Sequence, residues 1–463
     1  MSSDASSTHD DADDLLYRGQ HGRDIPYTLN HVRVHPSVTA IGEQAFSHWF
    51  DLESVELCEG LEVIGADAFQ CCRILENCII PSTVKLIGYQ AFQSTPLRGL
   101  NLPDSVEAIG PFAFNYTNLV HLRIPPLITV MRHYVLANCR CMFSLELPES
   151  LGHIEEKAFE HNYCLRNVAI PLDAVIEEGV FQDCVDLDTL FGNANSIVRA
   201  LRHRFDGLPI HKMLYYQSYR PIAQNELLKA TDMRSGQTRT LRSKLDPTGR
   251  HRDCLGMTPL HILACSTVQE LPLYQLMIQK YPENLIVSDR WGALPILYAV
   301  WRNAPNEIVR FLFESQQSIY PDHELDWNGM ILTLGNAEAP CGAIQHLVDA
   351  QQSLFPRQRI IWEGCLDYLA SHLERRDETF QVLLKCSIEE RVNAIGVKLW
   401  REDIIQRTEQ ICSINTLVGD EDCQWIIQAN RTRKLAKLRS KLAFFETEYE
   451  KLNEAMSMLE LAI

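Results

Sequence analysis

A hexapeptide that returns every 22 or 23 residues constrains this chain more than any other feature. IGEQAF, IGADAF, IGYQAF and IGPFAF end on Phe46, Phe69, Phe92 and Phe114, and the register continues more loosely through Leu136, Phe159 and Phe181. Five residues before each stands Ile41, Ile64, Ile87, Ile109, Met131, Ile154 or Ile176. Each unit also carries an apolar-x-x-apolar-x-apolar run, as in LRGLNLP, LVHLRIP and LRNVAIP, closed by Pro81, Pro103, Pro125, Pro148 or Pro171. The alternation marks a short strand with one buried face, and the proline ends it.

A unit of this size cannot bury its own Ile and Phe. Stacking on its neighbours gives those columns a continuous apolar spine. Each buried Phe or Ile then contributes about 1.5–3 kcal/mol of transfer free energy. Gly42, Gly65, Gly88 and Gly110 follow the Ile column, where a tight bend would favour positive φ. Arg132, Glu155 and Glu177 replace them later, so those units are expected to bend differently.

The combined pattern resembles the BspA-type leucine-rich repeat over residues 26–193. The resemblance implies a solenoid with a parallel sheet on one face, used as an interaction module and often displayed on microbial surfaces. On such a face the outward positions are Glu56, Ile79, Asn101, Arg123, Glu146 and Ala169, beside Ser54, Asn77, Gly99, His121, Ser144 and Asn167. Asn77, Asn101, His121, Arg123, Glu146 and Asn167 are the candidate contacts for a protein or peptide partner.

Downstream the period changes. GLPIHKMLYY, GMTPLHILAC and GALPILYAVW are followed by WNGMILTL and WEGCLDYL, with Gly256, Gly292, Gly329 and Gly364 at steps of 36, 37 and 35. QQSIYP and QQSLFP argue for duplication. Asp253-x-x-Gly256-Met257-Thr258-Pro259-Leu260-His261 resembles the opening of an ankyrin repeat, which implies helix pairs over residues 205–375 with His261 tying the turn. The basic stretch 230–252 interrupts them and is expected to form a mobile loop. Residues 376–430 read as helical. Over 431–463, Leu435, Leu438, Leu442, Phe445, Tyr449, Leu452, Met456 and Leu459 follow a coiled-coil seam. Basic residues crowd its first half and acidic ones its second, so self-association would give an antiparallel homodimer; packing back onto the array is the alternative.

The fold class is therefore a repeat protein: a β-rich leucine-rich-repeat solenoid, an α-helical ankyrin-like array and a C-terminal helix, preceded by a disordered acidic tail over residues 1–25. No phosphate loop, nucleophile elbow or zincin motif appears, and no catalytic residue, cofactor or metal ligand is assigned. His251, Cys254, His261 and Cys265 lie too close together for the usual spacing of a structural zinc site.

Fifteen cysteines without an export signal suggest reduced thiols. Cys72 and Cys139, three rungs and thus about 14 Å apart, are out of disulfide reach. Cys141 and Cys164 share a column on neighbouring rungs and are left open as a redox pair or two thiols. A net charge of −17 disfavours nucleic acid, and no apolar run is long enough for a membrane span. The expectation is a non-enzymatic protein-binding scaffold, intracellular and cytoplasmic; the alternatives are a cell-surface adhesin or an enzyme of unrecognised type.

Overall fold

The computed structural model describes residues 14–19, 30–216, 251–336, 339, 341–358 and 360–361. The first part is a β-solenoid of about six turns and the second is helical. Residues 376–463 and nearly all of 230–252 lie outside the described residues, as do the expectations placed on them.

Each rung contributes to two parallel ladders. One carries β2 (His31–Val34), β4 (Ser54–Glu56), β8 (His121–Arg123) and β10 (Ser144–Glu146), with single bridges at Asn77, Gly99 and Asn167. The other holds the Ile column in two-residue strands: β3 (Ala40–Ile41), β5 (Val63–Ile64), β6 (Leu86–Ile87), β7 (Ala108–Ile109), β9 (Val130–Met131), β11 (His153–Ile154) and β12 (Val175–Ile176). Register advances one repeat per rung, pairing Ile41 with Ile64, Ile64 with Ile87 and Ile87 with Ile109.

Between the ladders runs the spine. Phe46, Phe69, Phe92 and Phe114 stack nearly parallel at centroid separations of 5.2, 5.2 and 5.8 Å, all fully buried. Their backbones are stapled as well. The N–H of Phe46 donates to Ala68 C=O, that of Phe69 to Ala91 and that of Phe92 to Ala113, each at 2.8 Å. A small residue before each Phe lets the chains approach so closely.

The glycines after the Ile column do not take positive φ, contrary to the bend argument. They answer a different need: a Cβ on Gly88 would lie 2.6 Å from the Gly65 carbonyl carbon, and one on Gly110 2.6 Å from that of Gly88. Left-handed backbone falls instead two residues before and two after the spine position. It is carried by Gln44, Asp67, Gln90, Phe112, Tyr134, Lys157 and Gly179 on one side, and by His48, Cys71, Ser94, Tyr116, Asn138, His161 and Asp183 on the other.

Units lacking the glycine therefore keep the same corner bends. What changes is spacing. The second ladder breaks between β7 and β9, at the step where Arg132 first replaces glycine. The bond from Phe112 N–H to His133 C=O lengthens to 3.3 Å there.

At the N-terminal end, β1 (Asp14–Tyr17) pairs in parallel with β2, so this part of the stretch read as a disordered tail is structured. Tyr17 is buried with its ring 4.9 Å from Phe46, capping a spine end that would otherwise meet water. At the other end the chain leaves the solenoid after Cys184 in α1 (Val185–Phe191), within the last residues assigned to repeats.

The described helical part comprises nine α-helices. After α2 (Ala194–Arg202) and α3 (Pro209–Tyr216) come three pairs: α4 (Pro259–Cys265) with α5 (Leu271–Lys280), α6 (Pro295–Trp301) with α7 (Asn306–Ile319), and α8 (Trp327–Asn336) with α9 (Cys341–Leu354). Proline opens α3, α4 and α6, where its missing N–H has no intrahelical partner to lose.

Buried histidines tie successive units. His211 Nε2 donates to Met257 C=O at 3.1 Å and His261 Nε2 to Ala293 C=O at 3.0 Å. His261 Nδ1 accepts from Thr258 N–H at 3.1 Å, so the ring is neutral. Asp253 and Asp289 each accept two backbone N–H bonds at 2.9 Å in the turn before α4 and α6. Gly256 and Gly292, at φ +77° and +80°, complete those turns. Gly329 does not belong to that series: it sits in the first turn of α8 and donates to Asp326 Oδ1 at 2.9 Å.

Gly88→Ala is expected to lower stability by about 1–3 kcal/mol because backbone must move; Gly99→Ala, with no atom of the described residues within 4 Å of its added carbon, should be close to neutral. Urea unfolding of both variants tests this. Burial holds His211 down at about pKa 4 and also lowers His261. The unfolded chain protonates both near pH 6.5 while the folded chain resists. Stability is therefore full above that pH and falls as pH drops, the His211 share of about 3 kcal/mol being lost by about pH 4. In urea midpoints across pH 7.5–4, His211→Gln should flatten this slope.

Candidate functional site

The first ladder presents the face on which partner contacts were expected, and it divides in two. On the N-terminal rungs Asn77 and Asn101 are exposed, Ile79 is 85% exposed, and among the described residues no atom lies within 4 Å of a Cβ built on Gly99. His121 and Arg123 are half-buried. Arg123 Nη1 reaches Asp104 Oδ1 at 2.6 Å. Desolvation, reinforced by Arg302, holds the His121 imidazole neutral.

Beyond that point the face is covered by the chain's own helices. Ser144, Glu146 and Asn167 are 1–2% exposed. Glu146 accepts from Thr267 N–H at 2.8 Å and from its hydroxyl at 3.0 Å. Ser144 Oγ donates to Cys265 C=O at 3.3 Å, and Asn167 Nδ2 donates to Ser144 Oγ at 2.9 Å. The Tyr215 hydroxyl donates to Leu145 C=O at 2.7 Å while accepting from Leu147 N–H at 3.2 Å and Ala169 N–H at 3.0 Å. Glu146 and Asn167 are thus internal contacts, a correction to their reading as partner-facing residues.

Charged and aromatic groups complete the contact. Phe143 packs 4.7 Å from Trp301 and 5.5 Å from Tyr298. Arg166 bonds Asp186 at 2.6 Å and lies over both Trp291 and Trp301. Arg204 and Asp253, neither exposed to solvent, pair at 2.7 Å, and Arg204 also donates to Val168 C=O at 2.9 Å. A buried charge is tolerated only when so fully partnered.

One signal for this covering was present in the sequence. Residues 141–148, CMFSLELP, are all buried, and Ala169 stands in a column otherwise largely charged or polar. A strand covered on both faces loses the clean alternation of a half-exposed one. Serine and glutamate disguised that by being polar for internal bonding.

Three residues after the spine position runs a second buried column, Trp49 on the first rung and then Cys72, Thr95, Thr117, Cys139, Asn162 and Cys184. Cys72 Sγ donates to Phe46 C=O and Cys139 Sγ to Phe114 C=O, both at 3.2 Å, while Asn162 Nδ2 does the same for Leu136 C=O at 3.0 Å. Burial pushes the Cys72 thiol up to about 12 and the Cys139 thiol to about 11. Their role is packing and carbonyl satisfaction. Among the described residues one group of three metal-ligating side chains converges, Glu160, His161 and Asp183; His251, Cys254, His261 and Cys265 do not. A cavity of about 250 Å³ between the last rungs and α2–α3, lined by Arg202, Phe205, Lys212 and Tyr216, falls below the usual size of a small-molecule site.

Residues 26–142 and 63–188 match the BspA type leucine rich repeat region, in six copies. Among solved structures, a Treponema (T. pallidum) leucine-rich repeat protein is 29% identical over 33% of this chain and 71% of its own, with a TM-score of 0.30. A leucine-rich repeat protein from Bacteroides ovatus is 21% identical over 34% of this chain and 53% of its own, with a TM-score of 0.27. The pneumococcal vaccine antigen PcpA is 18% identical over 35% of this chain and 61% of its own, with a TM-score of 0.20. This chain thus spans about half to under three quarters of their lengths. No curated protein matches it.

Tyr215→Phe removes three backbone partners at once and should cost about 1–3 kcal/mol, read by thermal unfolding. In native protein at pH 7.5, Cys72 and Cys139 should resist alkylation that labels them after unfolding, as followed by peptide mass mapping.

Proposed function

We propose that this chain is a non-enzymatic protein–protein interaction scaffold, and that its open partner surface is the N-terminal half of the strand face, around Asn77, Ile79, Gly99 and Asn101. One observation carries the reading: the other half of the same ladder already holds polypeptide, through Glu146 on Thr267 and Ser144 on Cys265. Successive rungs repeat the same backbone frame, so the open rungs offer an outside segment the geometry that the covered rungs offer the chain's own.

The helical part fits the same role as an ankyrin-like array. The Thr258–His261 cap and the bonds from His211 and His261 to the next unit's carbonyl support that assignment. It sets a rigid body beside the open rungs. A pair of C-terminal helices, 431–463 antiparallel to its copy, would make the scaffold bivalent. The working location is intracellular.

Quantitative pull-down from native lysate compares wild type with Asn77→Arg/Asn101→Arg and with Tyr116→Ala, a control on the 52%-exposed Tyr116. The double variant is expected to lose at least one partner that the control retains, with the unfolding midpoint unchanged. Equal recovery by all three would move the binding surface elsewhere.

A further inference from the structure

The spine position is followed on each rung by a short corner whose first residue is neutral almost throughout: Ser47, Gln70, Gln93, Asn115, Ala137 and Gln182. Several of these satisfy one another, Gln70 Nε2 donating to the Gln93 side-chain oxygen at 3.2 Å and Ser47 to Gln70 at 3.4 Å. Glu160 breaks that column. It is 6% exposed, yet among the described residues nothing donates a hydrogen bond to its carboxylate. The nearest side-chain nitrogens, Lys157 Nζ at 3.7 Å and His161 Nε2 at 3.8 Å, are within ion-pair range but beyond hydrogen-bond distance.

His161 has a matching deficiency. Its Nδ1 is buried without a hydrogen-bond partner and lies 3.4 Å from Asp183 Oδ2, on the next rung. One ligand atom from each of Glu160, His161 and Asp183 lies within 4.8 Å of the other two. A carboxylate this buried is costly unless it is well compensated, and Glu160 and Asp183 flank the same imidazole at 3.8 and 3.4 Å.

We propose that Glu160, His161 and Asp183 bind one divalent transition-metal ion. Imidazole with two carboxylates suits zinc best, with water completing a four-coordinate shell. Ligand atoms on one zinc are about 3.3–3.6 Å apart in a tetrahedron at bond lengths near 2.1 Å. The half-exposed Asp183 side chain can close the remaining gap by a rotamer change. Lys157, which lies 5.6 Å over the Tyr134 ring, has somewhere else to rest its charge.

The ion would act as a clip. Glu160 and His161 belong to one rung and Asp183 to the last, where Phe159 and Phe181 meet at 50° instead of stacking parallel. Metal would lock the end of the solenoid just where α1 leaves it. This does not depend on the partner-binding reading.

The test uses the full chain, stripped with chelator and titrated with zinc by calorimetry and with cobalt by visible absorption. About one equivalent should bind and raise the unfolding midpoint. Asp183→Asn and His161→Ala should each weaken binding by about tenfold or more, and Lys157→Gln should tighten it. Far-UV circular dichroism checks that the variants are folded, and Asp183→Asn replaces a surface group. Failure of wild type to retain zinc, or retention indifferent to both ligand variants, overturns the proposal.

Discussion

Close stacking of Phe46, Phe69, Phe92 and Phe114 sets the dimensions to which everything else in the solenoid conforms. Rings 5.2 Å apart require backbones that meet at a 2.8 Å hydrogen bond beside them, which in turn requires Ala before each Phe and Gly after each Ile. Where the sequence departs, the departure has a local consequence. Arg132 ends one ladder, Leu136 interrupts the ring column, and Phe159 and Phe181 tilt. The N-terminal end is the regular one, and Tyr17 closes it.

The less regular end is where the helices attach. Loss of strict rung geometry from Arg132 onward coincides with gain of contacts from Phe143, Ser144 and Arg166 to the helical array. Stability there comes from two directions, stacking along the solenoid and packing across it. That division leaves one half of the strand face exposed among the described residues, and the other half a polypeptide contact in its own right.

How much of this is legible in the residues depends on whether a feature repeats. The Ile and Phe columns, the outward positions and the helix starts at Pro259 and Pro295 announce themselves through period. Asn77 and Asn101 are outward as read. Gly88 is legible as a special position but not for its reason, since a close approach and a tight bend both demand glycine and only the folded backbone separates them. Glu146 and Asn167 misled because a polar residue in an outward column looks the same whether water or a helix faces it. Tyr17 lies outside the repeat, so no period marked it. Gly329 had the right spacing but belongs to a helix N-terminus, an ambiguity inherent in matching single glycines.

A double-mutant cycle on Phe69 and Phe92, each changed to Leu singly and together, measures most directly whether the spine couples the rungs. Stacked rings should show a coupling energy of about 0.5–1.5 kcal/mol beyond their separate losses. Strictly additive losses would mean that the rings are buried side by side without holding one another, and the account of the solenoid built on them would fail.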